Sequence, residues 1–396
     1  MATFSVQFLG CKVSHTDAQL VRERLLADGH AEAADAADVA VVNTCCVTHE
    51  AVRKSRRAAA RLARDHRHVF VTGCGANLAD AFVGLPENVT VVSRRSEETP
   101  AFVAGAVGAI GCVQADSRLD RVRAFVKIQD GCSFSCNFCV VPLVRGGSRS
   151  RSASAVLREV EQRVAQGHRE VVLTGINLGC YRDRELRYRL PRLVREAAAV
   201  PGLARLRLSS IEVNHVDDDL VSALRETPTV GKHLHVPLQS GDDDVLRRMA
   251  RRYTSKKYLE RVAALQDDFN LTTDVIVGFP TEDERAFRNT LEVVARAGIT
   301  KVHVFPYSPR PGTVTAARDS IPAAVKKDRS ARLRAASHAA MLARWRAKVG
   351  SEDLVLVDRP GRGYGDDYSP WLVDAPVGGL VRVRAADVSE EGILAA

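Results

Sequence analysis

The chain has 396 residues, too many for one ordinary core, so about two or three domains are expected. Its 45% hydrophobic and 27% charged residues read as a soluble globular protein. No apolar run approaches the ~18 residues of a membrane span, and Thr3–Leu9 lacks the basic start of an export signal. A net charge of +9 suits an acidic partner, nucleic acid foremost, although Arg-rich composition alone can raise it. Nine cysteines, an odd number, argue against a disulfide framework and for reduced thiols that ligate metal in the cytoplasm.

The first region, about residues 1–110, alternates apolar runs with helical stretches. Thr3–Leu9, Val39–Thr44, Val69–Thr72 and Val89–Val92 read as buried strands, with helices over Asp17–Ala27 and Ala51–Ala63. This is the pattern of a small α/β domain with a mostly parallel sheet. Cys11, Cys45 and Cys74 each fall just past the carboxyl end of such a strand, where open α/β sheets bind ligands. Singly, each is a buried core cysteine; together they point to one shared site. Cys46 leaves open which neighbour ligates, and on an extended strand it would face away from Cys45.

Next comes the loop Gly131-Cys132-Ser133-Phe134-Ser135-Cys136-Asn137-Phe138-Cys139, after the apolar run Ala124–Ile128. Three thiolates within eight residues can hold three irons of a four-iron cluster, leaving the fourth iron open to a small molecule. A closed zinc site would need a fourth Cys or His at pair spacing, yet the next cysteine is Cys180 and the next histidine His168. A zinc knob or free buried thiols are the alternatives.

The second region, about 120–320, repeats strand and helix. Candidate strands are Phe125–Gln129, Glu170–Leu173, Leu203–Leu208, Leu234–Leu238, Thr273–Val277 and Lys301–Phe305. Such a series suggests an open or partial (β/α)6 barrel. Its first helix is capped by Ser154, carries an apolar stripe of Leu157, Val160 and Val164, and stops at Gly167. Thr174-Gly175-Ile176-Asn177, Glu212, Gln239-Ser240 and Gly278 lie at the carboxyl ends of these strands, where barrel active sites form. The His233–His235 pair reads as part of a strand, and Cys112 and Cys180 as structural.

A basic helical stretch, about Ala323–Val349, leads to Leu354–Val357, Trp371–Val373 and Leu380–Arg384, short strands with Gly-rich turns. They suggest a small C-terminal β-barrel of a kind that often binds nucleic acid. Arg53-Lys54-Ser55-Arg56-Arg57 and Arg145–Arg151 could contact phosphates, though the first also reads as a solvated helix face.

The motifs also carry a resemblance. Leu9-Gly10-Cys11-Lys12-Val13, Val42-Asn43-Thr44-Cys45 and Val71-Thr72-Gly73-Cys74 resemble the three N-terminal cysteine motifs of the methylthiotransferases, which are radical S-adenosylmethionine (SAM) enzymes. Lys127-Ile128-Gln129-Asp130-Gly131-Cys132 and Arg145-Gly146-Gly147-Ser148-Arg149-Ser150 resemble the signature around their radical SAM cluster. Leu173–Gly179, Arg207–Glu212, His233–Gly241 and His303–Ser308 are most similar to the branch that modifies threonylcarbamoyladenosine in tRNA. Ser14 stands where the family usually has Asn, Cys46 where it has Thr, and Thr281 where it has Gly.

The resemblance implies an auxiliary-cluster domain at 1–112, a radical SAM domain at 118–322, and a basic helix with an RNA-binding type of β-barrel at 323–396. It implies two 4Fe–4S clusters: one on Cys132, Cys136 and Cys139, whose open iron binds SAM, and an auxiliary one on Cys11, Cys45 and Cys74. Phe138 would pack beside the SAM adenine. Gly175 would admit SAM close to the backbone, Thr174 and Asn177 would meet its amino-acid end, and Glu212 or Gln239 its ribose or amine. The first cluster would cleave SAM to a radical, while the second supplies the sulfur methylated and transferred to carbon 2 of adenine. Replacing either triad should abolish methylthiolation. The partners implied are tRNA and an electron donor of flavodoxin or ferredoxin type; the sulfur donor is not named. The same chemistry on isopentenyladenosine or a ribosomal protein, and a non-catalytic iron–sulfur RNA-binding or electron-transfer protein, are the competing readings.

Overall fold

The computed structural model describes residues 2–33, 37–78, 80–108 and 122–396; Cys112 and the expected boundary near 112–118 lie outside them. The chain divides into two compact units, one drawn from Met1–Leu119, Asp130–Ser148 and Ser308–Ala317, the other from Asp120–Gln129, Arg149–Tyr307 and Arg318–Ala396.

The first unit is built on a five-stranded parallel sheet in the order Ala31–Glu32, Thr3–Phe8, Val39–Thr44, His68–Gly73, Val89–Val91. Alternation along the strands sends Val39, Val41 and Phe70 to one face and Ala40, Val42, Val69 and Val71 to the other, so each face acquires its own core. Helices Lys12–Ala27 and Thr99–Gly108 cover one face, and His49–Asp65 the other. The expected strands and two helices are present. The edge strand Ala31–Glu32 and the helix Thr99–Gly108 are additions that the sequence pattern did not mark.

In the second unit six parallel strands run in chain order: Arg123–Lys127, Glu170–Thr174, Arg205–Leu208, then His233–His235, Asn270–Val277, Ile299–Pro306. They form two three-stranded sheets bridged at Leu206–Val230 and Ser210–His235, which is the expected partial barrel. Helices over Ala153–Ala165, Leu190–Ala198, Asp218–Glu226, Ser255–Ala263 and Glu284–Arg296 lie between the strands. The first is capped by Ser152, whose side chain accepts from Ala155 N, rather than by Ser154 two residues further on.

The helix Ala323–Arg346 leads into a closed five-stranded barrel of Glu352–Arg359, Arg362–Tyr364, Pro370–Leu372, Ile393–Ala395 and Leu380–Val388, filled by Trp371 and Trp345. Arg205 and Arg207 donate to barrel carbonyls: Arg205 to Leu354, Arg207 to Gly365 at 2.6 Å and Asp366 at 2.8 Å. Arg123 pairs with Asp358 at 2.9 Å, and Tyr364 stacks on Tyr368 at 4.9 Å. All three arginines surround Glu170, which is 1% exposed: Arg207 at 3.0 Å, Arg205 at 3.1 Å, Arg123 at 3.9 Å. Glu170, Arg123 and Arg205 begin their strands, so the small barrel is fastened to the amino ends and the carboxyl ends stay clear for a site.

Candidate active site

Cys11, Cys45 and Cys74 follow three adjacent parallel strands, Thr3–Phe8, Val39–Thr44 and His68–Gly73, and therefore meet at one edge of the sheet. Two glycines set their approach. Gly10 has φ +138°, and a Cβ there would stand 3.1 Å from the Cys45 Cβ and 2.7 Å from Ser14 Oγ. Gly73 has φ +83°, and a Cβ there would stand 2.2 Å from Asn43 Oδ1. Ser14, in place of the usual Asn, keeps a hydroxyl 3.8 Å from the Cys11 sulfur. Burial, aided by the charges of Cys74 and Cys11, pushes the Cys45 thiol up to about 11. Asn43 is 1% exposed, and neither atom of its side-chain amide has a partner. An unpaired buried amide is costly unless a bound group completes it.

Cys46 does not face away. The strand ends at Thr44, so the alternation of side chains no longer governs this position. Cys46 is buried beside Cys74, Val140 and Val144. Interaction with the neighbouring Cys46 side chain, with the Arg145 guanidinium, holds Cys74 below its ordinary value against its burial, while Cys46 is pushed up.

Arg145 was expected at a phosphate; it is buried instead. Its Nε donates to Cys74 Sγ at 2.8 Å, Nη2 to Asp17 at 2.7 Å, and Nη1 to Asp130 at 2.9 Å. Asp130 Oδ1 in turn accepts from Gly131 N at 2.7 Å, one residue before Cys132. Gly131 has φ +69°, and a Cβ there would stand 2.2 Å from the Gly147 carbonyl. Cys132 N donates to the Gly146 carbonyl at 3.0 Å, and Ser148 N to Ser133 Oγ at 3.0 Å. The segment Arg145–Ser148 is thus the scaffold of the loop with Cys132, Cys136 and Cys139. These three cysteines and Phe138 are half-buried. All six cysteines belong to the first unit.

The polar candidates Thr174, Gly175, Asn177, Glu212 and Gln239 belong to the second unit. Thr174 Oγ1 and Asn177 Oδ1 are buried without a partner. Asn177 N donates to Gln129 Oε1 at 2.8 Å. Gly175 is required by Gln129, whose carbonyl would stand 2.9 Å from a Cβ. Glu212 is already engaged: Asn214 N and Nδ2 donate to it at 3.0 and 2.9 Å, and Arg251 at 3.3 Å. It fixes the turn Val213–His215 and offers less to a ligand than expected. Gln239 sits at φ +64°, a conformation that clusters at functional sites when non-glycine residues adopt it. Cys180 Sγ lies 3.4 Å from His215 Nε2, and both rings of the His233–His235 strand bond to Thr272 Oγ1.

Much of the basic surface is used internally. Arg56 binds the Ala81 and Val83 carbonyls, Arg329 pairs with Glu282, Lys326 with Asp319, and Arg344 and Lys348 with Asp367. Arg53, Lys54 and Arg57 remain exposed on their helix. Among the described residues no three Cys, His, Asp or Glu side chains converge on one point as they do around a single ion. A four-iron cluster takes one thiolate per iron, so its ligands need not converge. Among the described residues, too, no helix is long and apolar enough to cross a membrane.

The Radical SAM superfamily matches residues 126–294, and Uncharacterized protein family UPF0004 matches residues 3–92. A threonylcarbamoyladenosine tRNA methylthiotransferase MtaB of Chlamydia pneumoniae is 34% identical over 99% of this chain and 97% of its own. The protein of that name from Thermotoga maritima is 32% identical over 100% and 96%. A tRNA-2-methylthio-N(6)-dimethylallyladenosine synthase of Sorangium cellulosum is 36% identical over 92% and 84%. Among solved structures, the radical S-adenosylmethionine methyltransferase TsrM of Kitasatospora setae shares the fold, with a TM-score of 0.60 and 15% identity over 79% of this chain and 75% of that one.

Proposed function

Since the chain belongs to the radical SAM methylthiotransferases, enzymes that use SAM and 4Fe–4S clusters, we propose that it adds a methylthio group to carbon 2 of threonylcarbamoyladenosine beside the anticodon of tRNA. The observation that carries this reading is the end-to-end match to relatives named for that nucleoside, 97% and 96% of their own length.

The residues present fit the cofactors. At the sheet edge three strand-end thiols stand beside the unpaired Asn43 amide, whose N–H groups can donate to cluster sulfides. In the second unit the unpaired Thr174 Oγ1 and Asn177 Oδ1 can meet the ammonium and carboxylate of SAM. Cys132, Cys136 and Cys139 would hold the first cluster, and Cys11, Cys45 and Cys74 the auxiliary one. When bound, the first supplies the electron for reductive SAM cleavage and the second brings the sulfur to be methylated and transferred. Asp130 and Arg145 hold the cysteine loop, and Phe138 would pack beside the adenine; in the second unit Gln239 would offer a polar group to SAM. Exposed Arg53, Lys54 and Arg57 would bind tRNA phosphates, an affinity that falls with salt. The reductant is a flavodoxin- or ferredoxin-type protein, and the enzyme works in the cytoplasm. The expected domain division at 1–112, 118–322 and 323–396 belongs to the same proposal.

The test is mass spectrometry of tRNA nucleosides from cells with and without the gene. Loss of the methylthio form of threonylcarbamoyladenosine, with its precursor accumulating, supports the reading; an unchanged nucleoside overturns it. The 36% identity to the dimethylallyladenosine enzyme favours a second reading, which the same profile separates by loss of that methylthio nucleoside instead.

A further inference from the structure

We propose that the concave face of strands Asn270–Val277 and Ile299–Pro306 is the subsite that selects the substrate nucleoside. Phe305 stacks on the purine, and His303 and Lys301 hold the carboxylate of its threonylcarbamoyl arm. This rests on the reading above that the substrate carries that nucleoside.

Strand Ile299–Pro306 is the last of the six, and its side chains alternate. Val302 and Val304 pack into the main core with Leu271, Val275 and Val277 of the neighbouring strand. Lys301, His303 and Phe305 point the other way, and all three are exposed, Phe305 at 37%. The register sets them beside Thr272, Asp274 and Ile276. The outer edge of the strand is taken by helix Ala323–Arg346, whose Ser337 Oγ accepts from Val302 N at 2.8 Å. The concave face is therefore where a ligand can reach this strand.

Asp274, the acidic member of the face, is turned to the strand on its other side. Its Oδ1 lies 3.2 Å from His235 Nε2. The Thr272 hydroxyl holds His235 at 2.9 Å and His233 at 3.0 Å. The His235 ring lies 5.5 Å from that of His303. Asp274 thus has a cation-forming partner of its own, and Lys301 and His303 present donors to an incoming anion.

The spacing suits the arm. Alternate residues on a strand face stand about 6–7 Å apart. From the purine nitrogen through the ureido carbon, nitrogen and Cα to the carboxylate is about 5–6 Å by standard bond lengths. A purine stacked on Phe305 therefore carries its carboxylate to His303, with Lys301 one step beyond. An apolar dimethylallyl arm would cover the same donors without pairing them, which a polar site resists.

The experiment measures binding of RNA stem–loops by the full chain, reconstituted without oxygen, at one fixed salt concentration. The stem–loops carry adenosine, threonylcarbamoyladenosine or dimethylallyladenosine at a single position. The wild type should bind the threonylcarbamoyl form about tenfold or more tighter than the adenosine form. Lys301→Met and His303→Gln should each reduce that preference and the double variant abolish it, with iron content and affinity for the adenosine stem–loop unchanged. A double variant that keeps the preference overturns the proposal. So does equal weakening on all three RNAs, because the two side chains would then be contacting phosphates. A wild type that prefers the dimethylallyl form, or none, overturns the substrate reading itself and is recognised before any variant is compared.

Discussion

Thr281→Gly should stabilise the protein. Thr281 follows Gly278-Phe279-Pro280 at the carboxyl end of strand Asn270–Val277 and has φ +97°, outside the region that a β-branched residue tolerates. The turn leaves it no choice. Glu282 N donates to the Phe279 carbonyl at 2.8 Å, Gly278 N donates to Glu282 Oε1 at 2.8 Å, and Arg329 anchors that carboxylate at 2.7 Å. A backbone in such a region costs about 1–3 kcal/mol. Glycine removes that cost but gains about 0.4–1 kcal/mol of unfolded-chain freedom. Thr281 is exposed, so no burial is lost. The net gain is about 1 kcal/mol, or roughly 2–4 °C in Tm for a unit of this size. Thermal unfolding of the full chain under anaerobic conditions measures it, with Thr281→Ala as the control that keeps a Cβ and gains little. A Tm for Thr281→Gly at or below wild type, or equal gains for the two variants, refutes the strain argument.

Glu170→Gln removes the one carboxylate shared by Arg205, Arg207 and Arg123 and should cost about 3–5 kcal/mol, seen as a lower urea midpoint; an unchanged midpoint would contradict the assigned role. Burial opposes ionisation of Glu170, but the three guanidiniums overcome it and hold its carboxyl below the ordinary value. Its stabilisation is therefore complete above the unfolded value near ~4.3 and lost as pH falls below it, so the gap between wild type and Glu170→Gln should narrow in acid; a gap that widens reverses the sign. Gly131→Ala drives a Cβ against the Gly147 carbonyl and should lose the iron of the Cys132 loop while keeping that of the auxiliary site, as metal analysis of the purified chain would show.

Strand-end cysteines were legible because a short apolar run with a thiol just past it is a local pattern. The parallel sheet then brings Cys11, Cys45 and Cys74 to one edge. Helix starts were less legible: Lys12–Ala27 begins five residues before the expected Asp17, directly after Cys11, with no side-chain cap to announce it. Cys46 was misread because the period of two was carried beyond the strand's last residue. Arg145 was misread because a run of arginines looks like a surface for phosphates. Its partners Asp17 and Cys74 lie far away in the chain, and only tertiary packing makes them neighbours. Glu170, beneath three arginines, and the commitment of Glu212 to Arg251 were hidden for the same reason, whereas the bond of Glu212 to Asn214 is local.

The fastening of the small barrel through Arg205 and Arg207 makes it a poor candidate for exchange between enzymes. Excising it would strip the carbonyl acceptors of Leu354, Gly365 and Asp366 from two buried cations. A transplanted barrel would have to offer carbonyls at the same places before its own loops could matter. Variation that spares the anchorage is thus confined to turns such as Asp374–Gly379, which join the strands without bearing on it.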